Sequence, residues 1–256
     1  MSVWSAVWVV FLTGTVATTV GAAPVLALRE LSPRLANHCI ALAASVMLAA
    51  SVYALLPAAL GEAARHVPAA WATPLTLAAL AAGAWCVAWA NGHFPHEHQF
   101  KGHDGRDSHR SMSLLLVTAI ALHNFPEGLS VGVTVGAADP TLTPRIATAI
   151  AIQNIPEGLV VAMAMLSSGL GRGRSFGLGV LTGLIETGGG LVGAAAVGLA
   201  GGLLPWALAF AAGAMLYVIS AEVIPETHRR GMAGGATASL LAGFCAMVWF
   251  DALFPG

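Results

Sequence analysis

Eight apolar runs, each of roughly 20 residues or more, divide this 256-residue chain and limit it to one kind of fold. A hydrocarbon core of about 30 Å needs that length of helix, and every backbone polar group inside it must be satisfied within the protein. The runs lie at about 3 to 28, 36 to 60, 70 to 91, 113 to 137, 145 to 169, 175 to 199, 203 to 226 and 235 to 254. They predict an all-α integral membrane protein, a bundle of eight transmembrane helices forming a single domain over residues 1–256. The weakest break, "GLAGGLLPW", separates the sixth and seventh runs with only glycines and Pro205. "MSVWSAVWVV" has no basic leader and opens a run too long for a signal peptide, so it counts as a true span. Composition agrees: 57% of residues are apolar and 9% charged, where soluble domains carry about a quarter charged.

The basic residues orient the bundle. Connections after runs one, three, five and seven hold Arg29, Arg34, Lys101, Arg106, Arg110, Arg172, Arg174, Arg229 and Arg230, against only Arg65 and Arg145 on the other side. The positive-inside rule therefore places those four loops in the cytoplasm and both termini outside it, in a multi-pass protein of the cell (inner) membrane. The third connection, at about 92–112, is a polar histidine-rich cytoplasmic loop carrying His93, His96, His98, His103 and His109. Its composition is that of a solvated linker, and neutral imidazoles in such a tract bind zinc-like cations loosely. A net charge of −1 argues against nucleic acid as a partner. No Gly-rich phosphate cradle is present, so transport would be passive or ion-coupled. Cys39, Cys86 and Cys245 are far apart, without CxxC spacing, and read as small core residues.

Charge inside the apolar runs is the expensive feature. His123, Glu127, Glu157 and Glu186 lie at depth, and at about 2.5–3.5 kcal/mol each they cost roughly 10 kcal/mol unpaired. No Lys or Arg shares their level, so a cation from solution is the natural compensation; a proton held on each carboxyl is the rival. "HNFPEG" (123–128) and "QNIPEG" (153–158) repeat one pattern on consecutive antiparallel helices. His123 and Glu127 are four residues apart, on one helix face, with Asn124 beside them; Gln153, Asn154 and Glu157 repeat the arrangement. At 1.5 Å per residue, Glu127, Glu157 and Glu186 all fall about 15 to 18 Å into the bilayer. Pro126 and Pro156 each remove a backbone donor and free the carbonyls of Leu122 and Ile152, which a wet cavity or neighbouring protein must meet. Gly128 and Gly158 admit a closely packed helix beside the acids. One imidazole, three carboxylates and three amides make a mixed N/O donor set suited to Zn2+, Cd2+, Fe2+, Mn2+ or Co2+.

At these residues the sequence resembles the ZIP family of divalent-metal transporters, in its bacterial zinc-uptake branch. The two proline-glutamate-glycine helices, the span count and the histidine-rich loop carry the resemblance over essentially the whole chain. It implies a binuclear centre at mid-membrane, with His123, Glu127, Gln153 and Glu157 around one ion and Asn124, Glu127, Asn154, Glu157 and Glu186 around the other. Met47 matches a family position whose thioether joins the first site. Glu222, Glu226 and His228, in "SAEVIPETHRRG", look like a release path toward the loop. The resemblance further implies alternating access, an inverted repeat of helices 1–3 and 6–8 around the 4–5 pair, and a homodimer. Many relatives carry histidine where this chain has Gln153, and a neutral amide binds zinc more weakly. On this reading the metal is substrate and no organic cofactor is needed. The alternatives are a membrane-embedded metallohydrolase, disfavoured by the missing HExxH spacing, and a proton or metal sensor without transport.

Overall fold

The computed structural model describes residues 3–93, 96–98, 102–104, 112–228 and 231–253. Their main elements are eight helical segments: α1 (Trp4–Leu26), α2 (Pro33–His66), α3 (Ala69–His93), α4 (Met112–Gly136), α5 (Leu142–Ser167), α6 (Arg172–Leu199), α7 (Gly201–Thr227) and α8 (Ala233–Ala252). Seven of these qualify by length and apolarity as membrane spans, and α4, with 25 residues, is the eighth helix that the hydropathy requires. Each boundary has a local cause. Ser32 caps α2 by accepting from the Leu35 amide at 3.2 Å, with Pro33 at the first helical position. Asp139 caps α5 by accepting from the Thr141 and Leu142 amides at 2.9 and 2.8 Å. Gly169, at φ +93°, ends α5 in the left-handed region. The weak break between α6 and α7 is real but minimal: Ala200 leaves helical geometry before a 3-10 turn, Gly201–Leu203.

The histidine-rich connection is shorter than expected, because α3 continues through His93. That ring stacks on Trp89, centroids 4.5 Å apart, and its Nδ1 lies 2.7 Å from the Trp89 carbonyl. Beyond it the backbone forms an antiparallel hairpin of β1 (His96–His98) and β2 (Gly102–Asp104), with His96 opposite Asp104 and His98 opposite Gly102. His109 lies outside the described residues.

Six helix pairs pack most extensively: α4 with α6, α1 with α5, α2 with α7, α3 with α7, α1 with α6, and α2 with α8. Exchanging 1 with 6, 2 with 7, 3 with 8 and 4 with 5 turns this set of pairs into itself. Each exchange joins an odd helix to an even one, which crosses the membrane in the opposite sense, so the symmetry is that of an inverted repeat. Its sequence trace is "LTG" at Leu12–Gly14 and again at Leu181–Gly183, a stronger signal than the small-residue texture of the two halves. The two copies face each other. A Cβ on Gly14 would lie 3.2 Å from the Gly183 carbonyl oxygen, one on Gly183 would lie 3.0 Å from that of Gly14, and Thr15 Oγ1 bonds Thr187 Oγ1 at 2.8 Å. Glycine opens the other seams as well. Cβ atoms on Gly83 and Gly213 would fall 2.0 and 1.9 Å from carbonyls of the facing helix. In lipid no hydrophobic force separates helix from solvent, and such close backbone approach is what holds helices together.

Three helices contain π-helical turns, at Leu12–Val16 in α1, Ala50–Leu55 in α2 and Ile219–Val223 in α7. The last two are symmetry mates, each ending one residue before a Leu-Pro or Ile-Pro step (Pro57, Pro225), where the missing amide disturbs the preceding turn. Helices α4 and α5 run unbroken through Pro126 and Pro156, and the π-helical turns lie on neighbouring helices instead. Helices α3 and α8 are the least buried and expose Trp71, Trp85, Trp89 and Trp249, the aromatic residues suited to the two membrane interfaces. The cysteines depart from the sequence reading. Cys86 and Cys245 are exposed, on the two lipid-facing helices, and only Cys39 is partly covered, because a thiol is apolar enough to face lipid as readily as core.

Candidate metal centre

The largest fully buried side chains include the expected Leu, Ile and Met residues together with Gln153, Glu127 and Glu186. That mixture marks the centre of the bundle, where α4, α5 and α6 meet. Glu127 is 0% exposed and Glu186 1%, with Asn124 and Asn154 equally buried; Glu157 is covered less completely. The glycine that follows each acid sets this depth of packing. A Cβ on Gly128 would lie 1.8 Å from the Glu186 carbonyl oxygen, and one on Gly158 would lie 2.3 Å from that of Thr18. Helix α6 therefore lies against HNFPEG and α1 against QNIPEG, backbone to backbone, as the two glycines imply.

The hydrogen bonds of this region are incomplete in a consistent way. Asn154 donates from Nδ2 to both Glu186 oxygens, at 2.7 and 2.9 Å, and to the Thr13 carbonyl at 2.8 Å. Six buried oxygens have no partner within hydrogen-bond distance, namely both of Glu127, Oδ1 of Asn124, Oδ1 of Asn154, Oε1 of Gln153 and Oε2 of Glu157, and one buried donor beside them, Gln153 Nε2, is likewise unpaired. Such groups cost about 1–3 kcal/mol each when buried and unpaired, more when charged. Six oxygens from five side chains on two antiparallel helices form a donor set that a hard or borderline cation satisfies and a hydrophobic core does not.

His123 stands four residues before Glu127 on α4. Its Nε2 bonds one carboxylate oxygen of Glu222, and Asn91 Nδ2 at the end of α3 bonds the other. Glu222 stands on the π-helical turn of α7 and is 2% exposed, so the deepest member of the expected release path is in direct contact with the imidazole of the expected site. Asn91 is a residue that sequence reading missed. It lies at the end of an apolar run, where an asparagine looks like an interface residue, and nothing nearby in sequence connects it with Glu222. Glu226 is also buried, whereas His228 is engaged locally, its Nδ1 donating to the Ile224 carbonyl at 2.9 Å and its Nε2 lying 3.0 Å from Thr237 Oγ1. Those partners fit a helix-terminus role for His228.

Met47 is 3% exposed on α2, which packs against α5, and its carbonyl accepts from Ser51 Oγ at 2.8 Å. Repeat symmetry pairs it with Met215, ten residues before Pro225 as Met47 is before Pro57, and Met215 is buried too. Among the described residues no three His, Cys, Asp or Glu side chains converge as a ready chelate. The candidate centre is thus a chain of polar groups running from Glu186 through Glu127 and Glu157 to His123 and Glu222, with amides making up the balance.

Comparison with known proteins gives a consistent picture. Residues 89–251 match the family model described as ZIP Zinc transporter. The zinc transporter GufA of Myxococcus xanthus is 49% identical over 158 residues, 61% of this chain and 62% of that protein. The zinc transporter ZIPB of Bordetella bronchiseptica is 40% identical over 243 residues, covering 93% of this chain and 78% of the relative. A zinc transporter ZupT from Chlorobium luteolum is 32% identical over 260 residues, with 96% and 97% covered. The chain therefore spans a little under two thirds of the first relative and nearly all of the last.

Proposed function

The chain belongs to the ZIP family of zinc transporters, and on that premise we propose that it carries divalent cations, zinc foremost, across the membrane through the buried acids and amides of α4, α5 and α6. The observation that carries this reading is Glu127. It is fully buried halfway along a membrane helix, and neither carboxylate oxygen has a hydrogen-bond partner in the protein. The one arginine within α5, Arg145, is committed elsewhere, to Asp251 of α8. A cation passing between HNFPEG and QNIPEG would satisfy these oxygens, and one bridged by Glu127 and Glu157 would have amide donors from Asn124, Gln153 and Asn154 on either side.

The same reading supplies a direction. With both termini extracytoplasmic in the inner membrane, His123 and Glu222 lie on the cytoplasmic side of the acids, and an ion leaving Glu127 meets the imidazole, then Glu222 and Glu226, then the histidine-rich loop. Two ions, alternating access between the two sides and a homodimeric assembly complete the proposal. The test is radiolabelled zinc uptake into proteoliposomes. Glu127→Ala and Glu157→Ala should each abolish uptake while leaving the protein helical and monodisperse, and wild-type rates in either variant would refute the reading.

A further inference from the structure

Helix α1 carried no candidate residue in the sequence reading, yet one of its carbonyls enters the candidate centre. In an α-helix the Ala17 amide would bond the Thr13 carbonyl, four residues back. Here that amide bonds the carbonyls of Leu12 and Gly14 and passes over Thr13, within the π-helical turn Leu12–Val16. The Thr13 oxygen accepts instead from Asn154 Nδ2, at 2.8 Å.

The extra residue that makes this turn is visible in the repeat. Leu12–Gly14 match Leu181–Gly183. Further along, Gly21 lies against Ile155 as Gly189 lies against Phe125, and Thr18 lies against Gly158 as Glu186 lies against Gly128. Between those two sets of equivalences the offset shortens by one residue, so α1 has one more residue than α6 at the position of the π-helical turn. Helix α6 has no such turn, and the carbonyl of Thr182, the mate of Thr13, stays inside a regular α-helix. The insertion has therefore converted a helix carbonyl into an acceptor on one side of the symmetry axis only.

That acceptor fixes an orientation. The amide nitrogen of Asn154 has two hydrogens, and its surroundings present two kinds of acceptor, the Thr13 carbonyl and the Glu186 carboxylate. Turning the amide over would set Oδ1 against all three oxygens, so the nitrogen is held there and Oδ1 is presented on the other side, buried and without a hydrogen-bond partner. We propose that the π-helical turn of α1 is a positioning device for the metal site, in which the released Thr13 carbonyl holds Asn154 with Oδ1 toward the ion. The inference rests on the transport reading above and adds to it a residue, Thr13, that acts through its backbone and touches no metal.

The backbone can be tested directly. Replacing Gly14 by glycolic acid (Gly14→glycolic acid) turns the Thr13 carbonyl into an ester, a weaker acceptor, and changes no side chain. The same replacement at Gly183 removes an equivalent helix amide from α6 and leaves Asn154 untouched. Zinc titration calorimetry on the purified full chain should show Kd raised roughly three- to tenfold by the ester at position 14, the range expected for one neutral hydrogen bond, and less than about twofold by the ester at 183. Asn154→Asp should also weaken binding in spite of its added charge, because a carboxylate cannot donate to Thr13 and is set against Glu186. Equal losses with the two esters, no loss at position 14, or undiminished zinc affinity in Asn154→Asp would overturn the positioning role. A wild-type chain that binds no zinc would overturn the transport reading, and this inference with it.

Discussion

Adding one methyl group to Gly128 tests whether the site and the helix packing are the same structure. In Gly128→Ala the new Cβ would lie 1.8 Å from the Glu186 carbonyl oxygen, 2.7 Å from its carbon and 3.0 Å from the Gly190 nitrogen. Real Cβ contacts stop near 3.0 Å, so α4 and α6 must separate locally by at least about 1.2 Å. The obstructing atoms are helix backbone and have no rotamer into which to retreat. Overpacking costs about 1–3 kcal/mol where side chains can adjust, and a backbone obstruction places this variant at or above about 3 kcal/mol. At about 2–4 °C per kcal/mol for a chain of this size, its melting temperature should fall by roughly 10 °C. Because the displaced helix carries Glu186, zinc uptake should fall as well. Gly188→Ala, on the same helix with nothing within 4 Å of its Cβ, is the control and should leave both quantities near wild type. Scanning fluorimetry in detergent and uptake in proteoliposomes measure the two effects. A Gly128→Ala protein that melts and transports like the wild type would mean that α4 and α6 do not meet as described.

Three further outcomes are expected. Arg145→Ala and Asp251→Ala should each lower stability by about 2 kcal/mol, since each leaves a partly buried charge unpaired, and the exchanged pair Arg145→Asp with Asp251→Arg should recover much of the loss in a double-mutant cycle. Gln153→His should tighten zinc binding by about 1.4 kcal/mol or more, tenfold in Kd, and shift competition toward zinc over manganese, because imidazole replaces an amide. Deleting residues 94–109 should preserve uptake into vesicles that start empty of zinc and alter its response to zinc loaded inside them; an identical response would remove any regulatory role for the loop.

The helices were legible because hydropathy in a bilayer is nearly a length measurement: all eight were found, with ends within three residues of those observed except at α2, which continues six residues further, to His66. The acids were legible because HNFPEG and QNIPEG place costly groups at helical spacing, where any explanation must supply a partner. Other features depended on contacts between segments remote in sequence. Thr13 contributes a carbonyl, which every residue has, and only the hydrogen-bond pattern of α1 reveals that it is available. The LTG repeat could have been found by comparing the halves, yet three residues stand out little in a chain with 30 glycines and many short apolar residues. Asn91 and Asp251 both sit at helix ends, where polar residues are ordinary, and their partners are 131 and 106 residues away.

The ion pair joining α5 to α8 is tied to the surrounding lipid. Helix α8 has 20 residues and is about 30 Å long, the thickness of the hydrocarbon layer with no margin, and Asp251 stands in its last turn. In a thicker bilayer the acyl chains rise around that turn and around Arg145, the water that screens the pair is displaced, and its charges attract more strongly; in a thinner one they are wetted and the attachment loosens. Acyl-chain length therefore sets how firmly a helix of the metal site is fastened to the rim of the protein.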